Sequence, residues 1–259
     1  MILTLISEKF FMNGTKVKQL EASDSTLFIV TSENQIFFVP ITKENPFGAE
    51  MQHLPGDLGQ IDVGDGKKVG IDGRGVAYHR LGITQENPMG TTWNWFGNDV
   101  MISVAVGDGK IMGVRANLQI VARSGVTSAN PYGLNWILIG GYLKQISIGD
   151  GKIVGVNKND LVFYRYGIDD HNTHGTEWIL LDGARLKQVD VGYGRIVGLD
   201  VSGHVWYRWG ITPSQPFGEG WKRTTSGSFK HISIGNGTLF CVVEEGGIYV
   251  HQARGYLRD

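Results

Sequence analysis

The stretch Gly149-Asp150-Gly151-Lys152-Ile153-Val154-Gly155-Val156, continued by Asn157-Lys158-Asn159-Asp160 and then Leu161-Val162-Phe163-Tyr164-Arg165-Tyr166-Gly167, decides the fold. It holds two apolar runs of strand length, rich in β-branched and aromatic residues, set between turns of Gly, Asn and Asp. Upstream, residues 143–148 alternate as a half-buried strand does. Downstream, a longer loop over 169–177 leads to a fourth run at 178–181. Four short strands joined by tight turns predict one antiparallel meander. No segment carries the period of a long amphipathic helix.

The same phrase recurs along the chain. Gly-Asp-Gly-Lys stands at 64–67, 107–110 and 149–152, and the slot is held by Gly192-Tyr193-Gly194-Arg195 and Gly235-Asn236-Gly237-Thr238. The intervals are 43, 42, 43 and 43 residues, and one step back falls on Ser23-Asp24-Ser25. A second mark, arginine followed two residues later by glycine, keeps the register at Arg80, Arg123, Arg165 and Arg208. A third, Gly-x-x-Trp, ends at Trp93, Trp136, Trp178 and Trp221. Four strands in a repeat of 40–45 residues predict a β-propeller, because a lone four-stranded sheet cannot cover both of its faces. The fold class is therefore all-β: a single domain over 1–259, with six blades of four antiparallel strands. The last copy has three strands, and Lys9-Phe10-Phe11-Met12-Asn13-Gly14 aligns with Trp178-Ile179-Leu180-Leu181-Asp182-Gly183. The N-terminal strand is thus expected to complete the last blade and close the ring, leaving no free edge there.

Composition agrees. There are 38 glycines in 259 residues, about twice the usual share, as a chain of many turns requires. A formal net charge of −1 and no basic run longer than Lys67-Lys68 argue against nucleic acid as a partner. The single cysteine, Cys241, sits in an apolar run and reads as a buried inert thiol, the alternative being a bond to another chain. No segment reaches the ~18 apolar residues of a membrane span, so no membrane insertion is expected. The start, Met1-Ile2-Leu3-Thr4-Leu5-Ile6, lacks the basic flank of a signal peptide. A cytoplasmic location follows, or a secreted one if a signal was removed or export is non-standard.

The residues Val205-Trp206-Tyr207-Arg208-Trp209-Gly210-Ile211-Thr212, followed by Pro216-Phe217-Gly218 and Trp221, resemble the tectonin repeat. So do Tyr164-Arg165-Tyr166-Gly167-Ile168 through Trp178, and Leu186-Lys187-Gln188-Val189-Asp190-Val191-Gly192. The resemblance covers the chain from about residue 9 to the end, and the Trp-Asp mark of WD40 repeats is absent. Proteins of this kind include propeller lectins of slime moulds, fungi, fish eggs and horseshoe crab, and repeat segments of intracellular adaptors. The resemblance implies binding of surface glycans, often microbial, in a defensive role. The end copies depart from the pattern, with Val39 and Met51 in copy one and His251 and Ala253 in copy six.

By strand order the Gly-Asp-Gly turn and the long third-to-fourth loop lie on one face. Sugars are held by short polar side chains together with a flat ring beneath the C–H face. The long loops offer both: Asn87-Pro88-Met89-Gly90, Asn130-Pro131-Tyr132-Gly133, Asn172-Thr173-His174-Gly175 and Gln215-Pro216-Phe217-Gly218. Candidate carbohydrate contacts are Asp65, Asn87, Asp108, Asn130, Tyr132, Asp150, Tyr166, His174, Trp209 and Phe217. Each has a structural alternative. Asp in a Gly-Asp-Gly turn and Asn before Pro are turn chemistry, the tryptophans suit inter-blade packing, and the arginines suit contacts within a blade. Catalysis finds no motif: there is no His-x-x-x-His, no Gly-x-Ser-x-Gly and no phosphate loop, so neither cofactor nor metal is expected. The pair His171/His174 lacks a third ligand. The function expected is a multivalent, non-enzymatic lectin, as a monomer or small homo-oligomer. The alternative is an intracellular protein-interaction propeller, which would show one distinctive apolar patch; none is locatable in the sequence.

Overall fold

Each copy folds as a meander because its apolar runs are short and the polar turns between them force the chain back on itself. The computed structural model describes residues 15–42, 44–46, 48, 50–169, 171–224 and 227–252. Copy one comprises β1 (Val17–Ala22), β2 (Thr26–Thr31), β3 (Ile36–Pro40) and β4 (Gln52–Leu54). Copy two has β5 (Gln60–Gly64), β6 (Lys67–Ile71) and β7 (Val76–Arg80), then runs into β8 (Trp93–Gly107). Copy three continues with β9 (Lys110–Arg115), β10 (Gln119–Arg123) and β11 (Trp136–Tyr142). Copy four has β12 (Gln145–Gly149), β13 (Lys152–Val156), β14 (Leu161–Tyr166) and β15 (Glu177–Arg185). Copy five has β16 (Gln188–Gly192), β17 (Arg195–Leu199), β18 (Val205–Trp209) and β19 (Gly220–Arg223). Copy six has β20 (His231–Gly235), β21 (Thr238–Val242) and β22 (Ile248–Gln252).

Within each sheet, neighbours in sequence pair antiparallel, and the described residues contain no helix. Copies one, four and five are four-stranded sheets, and copy six shows three strands. Copies two and three share β8, whose outer half pairs with β7 and whose inner half pairs with β9. Two separate strands were the expectation. Gly97-Asn98-Asp99 lies between the two halves, and with Gly97 at φ 115° it bends the chain from the rim of one sheet to the inside of the next without ending the strand. The expected strand over residues 9–14 lies outside the described residues.

Apolar clusters sit between copies. Phe28, Ile36 and Leu54 of copy one meet Ile61 of copy two, and the same arrangement repeats down the chain. Val17, Leu20 and Ile29 of copy one also meet Phe240, Val242 and Val250 of copy six. The first strands touch in turn: β1 with β5, β5 with β8, β8 with β12, β12 with β16, β16 with β20, and β20 with β1.

Side chains bind these first strands sideways, since their backbones do not pair. Gln19 Nε2–H donates to the Ile61 carbonyl at 2.6 Å, and Gln19 Oε1 accepts the Ile61 N–H at 2.8 Å. Gln60 grips Val104 in this way, Gln145 grips Val189, and Gln188 grips Ile232. Two residues further on, Asp62 accepts the Val106 N–H, Ser147 that of Val191, Asp190 that of Ile234, and Ser233 that of Ala22. Each copy thus satisfies a backbone donor of its neighbour that would otherwise be buried without a partner.

Candidate functional site

The repeated arginines are built into the long loops. Arg165 Nε–H donates to the His174 carbonyl at 2.7 Å and its Nη2 to Gly175 at 3.0 Å, while its guanidinium lies 5.2 Å from the Trp178 ring. Arg80, Arg123 and Arg208 repeat this on Met89/Gly90, Tyr132/Gly133 and Phe217/Gly218. Trp93, Trp178 and Trp221 turn their indole N–H to carbonyls of the preceding copy, at Pro55, Gly140 and Leu181. Both residue types therefore hold the scaffold.

The turn aspartates have a structural task as well. Asp65, Asp108 and Asp150 sit at φ of 51°, 50° and 50°, a left-handed conformation that Asp tolerates. Each carboxylate reaches the next copy: Asp65 accepts the Gly109 N–H at 2.6 Å, Asp108 that of Gly151 at 2.7 Å, and Asp150 that of Gly194 at 2.5 Å. In the long loops, Asn87 and Asn130 accept the N–H of Thr84 and Thr127 through their backbone carbonyls, and those of Gly90 and Gly133. Asn87 also gives its amide to Gly82 at 3.4 Å, whereas the Asn130 amide makes no hydrogen bond to the described residues.

The rings of these loops turn inward. Tyr132 donates its hydroxyl to the Arg80 carbonyl of the preceding copy and stands edge-on to His79, with centroids 4.1 Å apart. Phe217 packs beside Tyr164 at 5.8 Å. The His174 ring is half-buried against the Arg123 backbone, and burial followed by the Lys110 charge lowers its pKa. Tyr166 and Trp209, by contrast, are 47% and 37% exposed at the ends of β14 and β18, with Lys222 Nζ 4.9 Å from the Trp209 ring.

Three of the candidates come together. A cleft of about 1050 Å³ opens between copies one, two and three, and Asp65, Asn130 and Tyr132 all line it. Its walls are the first-copy turn from Ser23 to Thr26, the strand ends at Lys68 and His79, and the loop from Leu81 to Gln85. The degenerate Ser23-Asp24-Ser25 turn and the long loops meet there, as strand order requires. Asn87, Asp108, Asp150, Tyr166, His174, Trp209 and Phe217 lie outside it. Among the described residues, no three His, Cys, Asp or Glu side chains are grouped to hold a metal ion.

A second cavity, of about 350 Å³, lies among the first strands and was missed in the sequence. Glu21, Asp62 and Asp190 line it, with Lys18, Lys187, Lys230 and His231 also facing it. The signal was legible: these acids occupy one slot, two residues before the turn that starts at Ser23, Gly64 or Gly192. Burial, then the like charge of its neighbours, raises the pKa of Glu21 well above the usual range. Burial pushes Asp62 up to about 8, against the pull of the Val106 N–H, and burial also raises Asp190. A raised folded-state pKa means that the native state holds the proton more tightly than the unfolded chain. This contribution is therefore full below about pH 4 and is lost as pH rises towards 8. Asp62→Asn removes the ionisation while keeping an acceptor for Val106. Urea unfolding is expected to show the variant gaining more than about 1 kcal/mol on the parent between pH 5 and pH 8. A gap that stays constant over that range would refute the assignment.

Comparison with known proteins places this architecture. The family model of the Tectonin domain matches residues 7–105 and 95–245. The chain belongs to the Tectonin domain family. No curated protein matches this tectonin chain. Among solved structures, human WBSCR16 aligns at 14% identity over 93% of this chain and 73% of its own, with a TM-score of 0.59. Yeast RCC1 (Prp20), in its complex with Kap60, aligns at 13% identity over 90% and 69%, with a TM-score of 0.58. YCF48 bound to a D1 peptide aligns at 14% identity over 96% and 82%, with a TM-score of 0.55. The structural neighbours are β-propellers, and at these identities the likeness concerns the fold alone.

Proposed function

We propose that this tectonin chain is a carbohydrate-binding lectin, a single ring of six blades whose principal saccharide site is the cleft between copies one, two and three. The closed ring is supported by the first-to-last contact of β1 with β20 and by the apolar cluster they share. The observation that carries the binding reading is the cleft itself. It pairs apolar Leu81, Ile83 and Pro88 with Ser23, Ser25, Thr84, Gln85 and the unengaged Asn130 amide. Hydroxyl and amide groups beside small apolar surfaces match a sugar's alternating O–H and C–H faces. The exposed rings of Tyr166 and Trp209, in the slot Leu81 occupies in copy two, supply further shallow contacts around the same ring. A single sugar pocket binds at ~1 mM, and several on one rigid face raise avidity by roughly 10²–10⁴. That arrangement suits surface glycans, including those of microbes.

Asn130→Ala removes an amide that no described residue uses while leaving the loop's backbone bonds in place. On a glycan array its signal is expected to fall at least about tenfold, with the melting temperature within about 2 °C of the parent. An unchanged array signal would remove Asn130 and its cleft from the reading.

A protein-binding reading has one observation of its own. Leu134, two residues before the outer strand β11, is exposed together with Ile137, Leu138 and Tyr142 of that strand, Leu134 and Tyr142 at 65%. An apolar patch of this kind was not locatable in the sequence, because outer-strand residues there look like core. Exposed contiguous apolar surface marks interaction sites. An empty glycan array together with peptide binding abolished by Leu138→Asp would establish this reading in place of the first.

A further inference from the structure

The slot after Gly-Asp-Gly-Lys is aliphatic in the other copies with that turn: Ile111, Ile153 and Ile196, with Leu239 in copy six. Copy one carries Leu27 there. In copy two the residue is Lys68, and it is 6% exposed. Its ammonium forms no ion pair or hydrogen bond with the described residues, and Nζ lies 5.5 Å from the centroid of the Phe28 ring. The side-chain stem is covered, while the ammonium at the cleft wall carries a charge with no ion-pair partner among the described residues. Burial, then the charge of Arg80, pulls the Lys68 pKa down to about 8.

A second polar side chain stands at the same cleft wall. His79 also lines it and is 9% exposed. Its Nε2 accepts from the Asn94 amide at 3.0 Å, which leaves the proton on Nδ1, and that atom is buried without a partner. Burial, then the Arg123 charge, lowers its pKa to about 4, so the ring is neutral. The remaining charged groups of the cleft are Asp24, Asp65, Lys67 and Arg80. Asp65 is engaged by Gly109 and forms no ion pair with Lys68. Arg80 spends its N–H groups on Met89, Gly90 and Pro55.

We infer that the cleft takes an anionic group, a carboxylate or phosphate carried on a saccharide, seated against the Lys68 ammonium. This deepens the saccharide reading and rests on it for the sugar but not for the anion. An anion supplies the charge partner that Lys68 lacks. No other copy carries the pair, since Ala122, Tyr164 and Tyr207 stand where His79 does. The chain would therefore have one charged site on a ring of otherwise neutral ones.

Lys68→Leu tests this cleanly, because it installs the residue type that the other copies already fold with. Calorimetric titrations of parent and variant would use glucuronate, glucose 6-phosphate, glucose and inorganic phosphate. The expected result is that the parent binds glucuronate or glucose 6-phosphate at least about tenfold more tightly than glucose, and that Lys68→Leu loses that preference with an equal or higher melting temperature. Which of the two acids binds distinguishes carboxylate from phosphate. Parent affinity should also fall as pH rises through about 8, where the free ammonium loses its proton. If the parent binds glucose as well as the acids and Lys68→Leu changes nothing, the anion is overturned while the saccharide reading stands. If inorganic phosphate binds in a Lys68-dependent way and no sugar does, the anion site stands and the saccharide reading falls.

Discussion

Arg165→Ala is expected to cost about 3–5 kcal/mol of folding stability, measured by urea unfolding at neutral pH. The guanidinium gives up two charge-assisted hydrogen bonds, to the His174 and Gly175 carbonyls, each worth about 1.5–3 kcal/mol. It also leaves Trp178 without the cation that covers it at 5.2 Å. Arg165→Lys should recover little, because an ammonium cannot reach two adjacent carbonyls with a planar fork. A loss under about 1 kcal/mol for the alanine variant would mean that the loop is held by its own turn bonds. The same experiment at Arg208 should give a similar value, since the geometry repeats.

The second large effect lies where one copy meets the next. A Cβ at Gly192 would stand 2.4 Å from the Ile234 carbonyl oxygen, and at Gly107 it would stand 2.6 Å from that of Ile148. Backbone is the obstacle in both, so no rotamer change relieves it. Gly192→Ala must push copies five and six apart, which would also strain the Gln188 grip on Ile232 and the Asp190 bond to Ile234. The expected loss is about 3 kcal/mol, at the upper end of overpacking effects. Thermal unfolding measures it, and a variant melting with the parent would show that the contact between copies yields.

The sequence carried the repeat because three marks keep one register, and the structure explains why each mark is there. Glycine ends the first strand where the next copy's backbone approaches. Arginine ties the long loop, and tryptophan caps the preceding copy. The loop asparagines and the turn aspartates were legible as residues but not as roles. Only the fold shows Asp65, Asp108 and Asp150 reaching 43 or 44 residues ahead to the next turn. Tyr132 belongs to both accounts, lining the cleft while its hydroxyl is held by Arg80. The lateral glutamine grip went unread because Gln19, Gln60, Gln145 and Gln188 are interrupted by Ser103 and His231 in the same slot. Lys68 is conspicuous once the copies are aligned, yet its burial and lack of a partner are facts of packing. The merged strand β8 is invisible to any reading that assumes each copy ends in a loop.

The central claim is that a saccharide occupies the cleft between copies one, two and three. A crystal structure with the strongest glycan-array ligand tests it most directly. The account predicts the sugar between Asn130-Pro131-Tyr132 and the loop from Leu81 to Gln85, with any acidic substituent at Lys68. Sugar found on the opposite face or along β11, with the cleft empty, would contradict it.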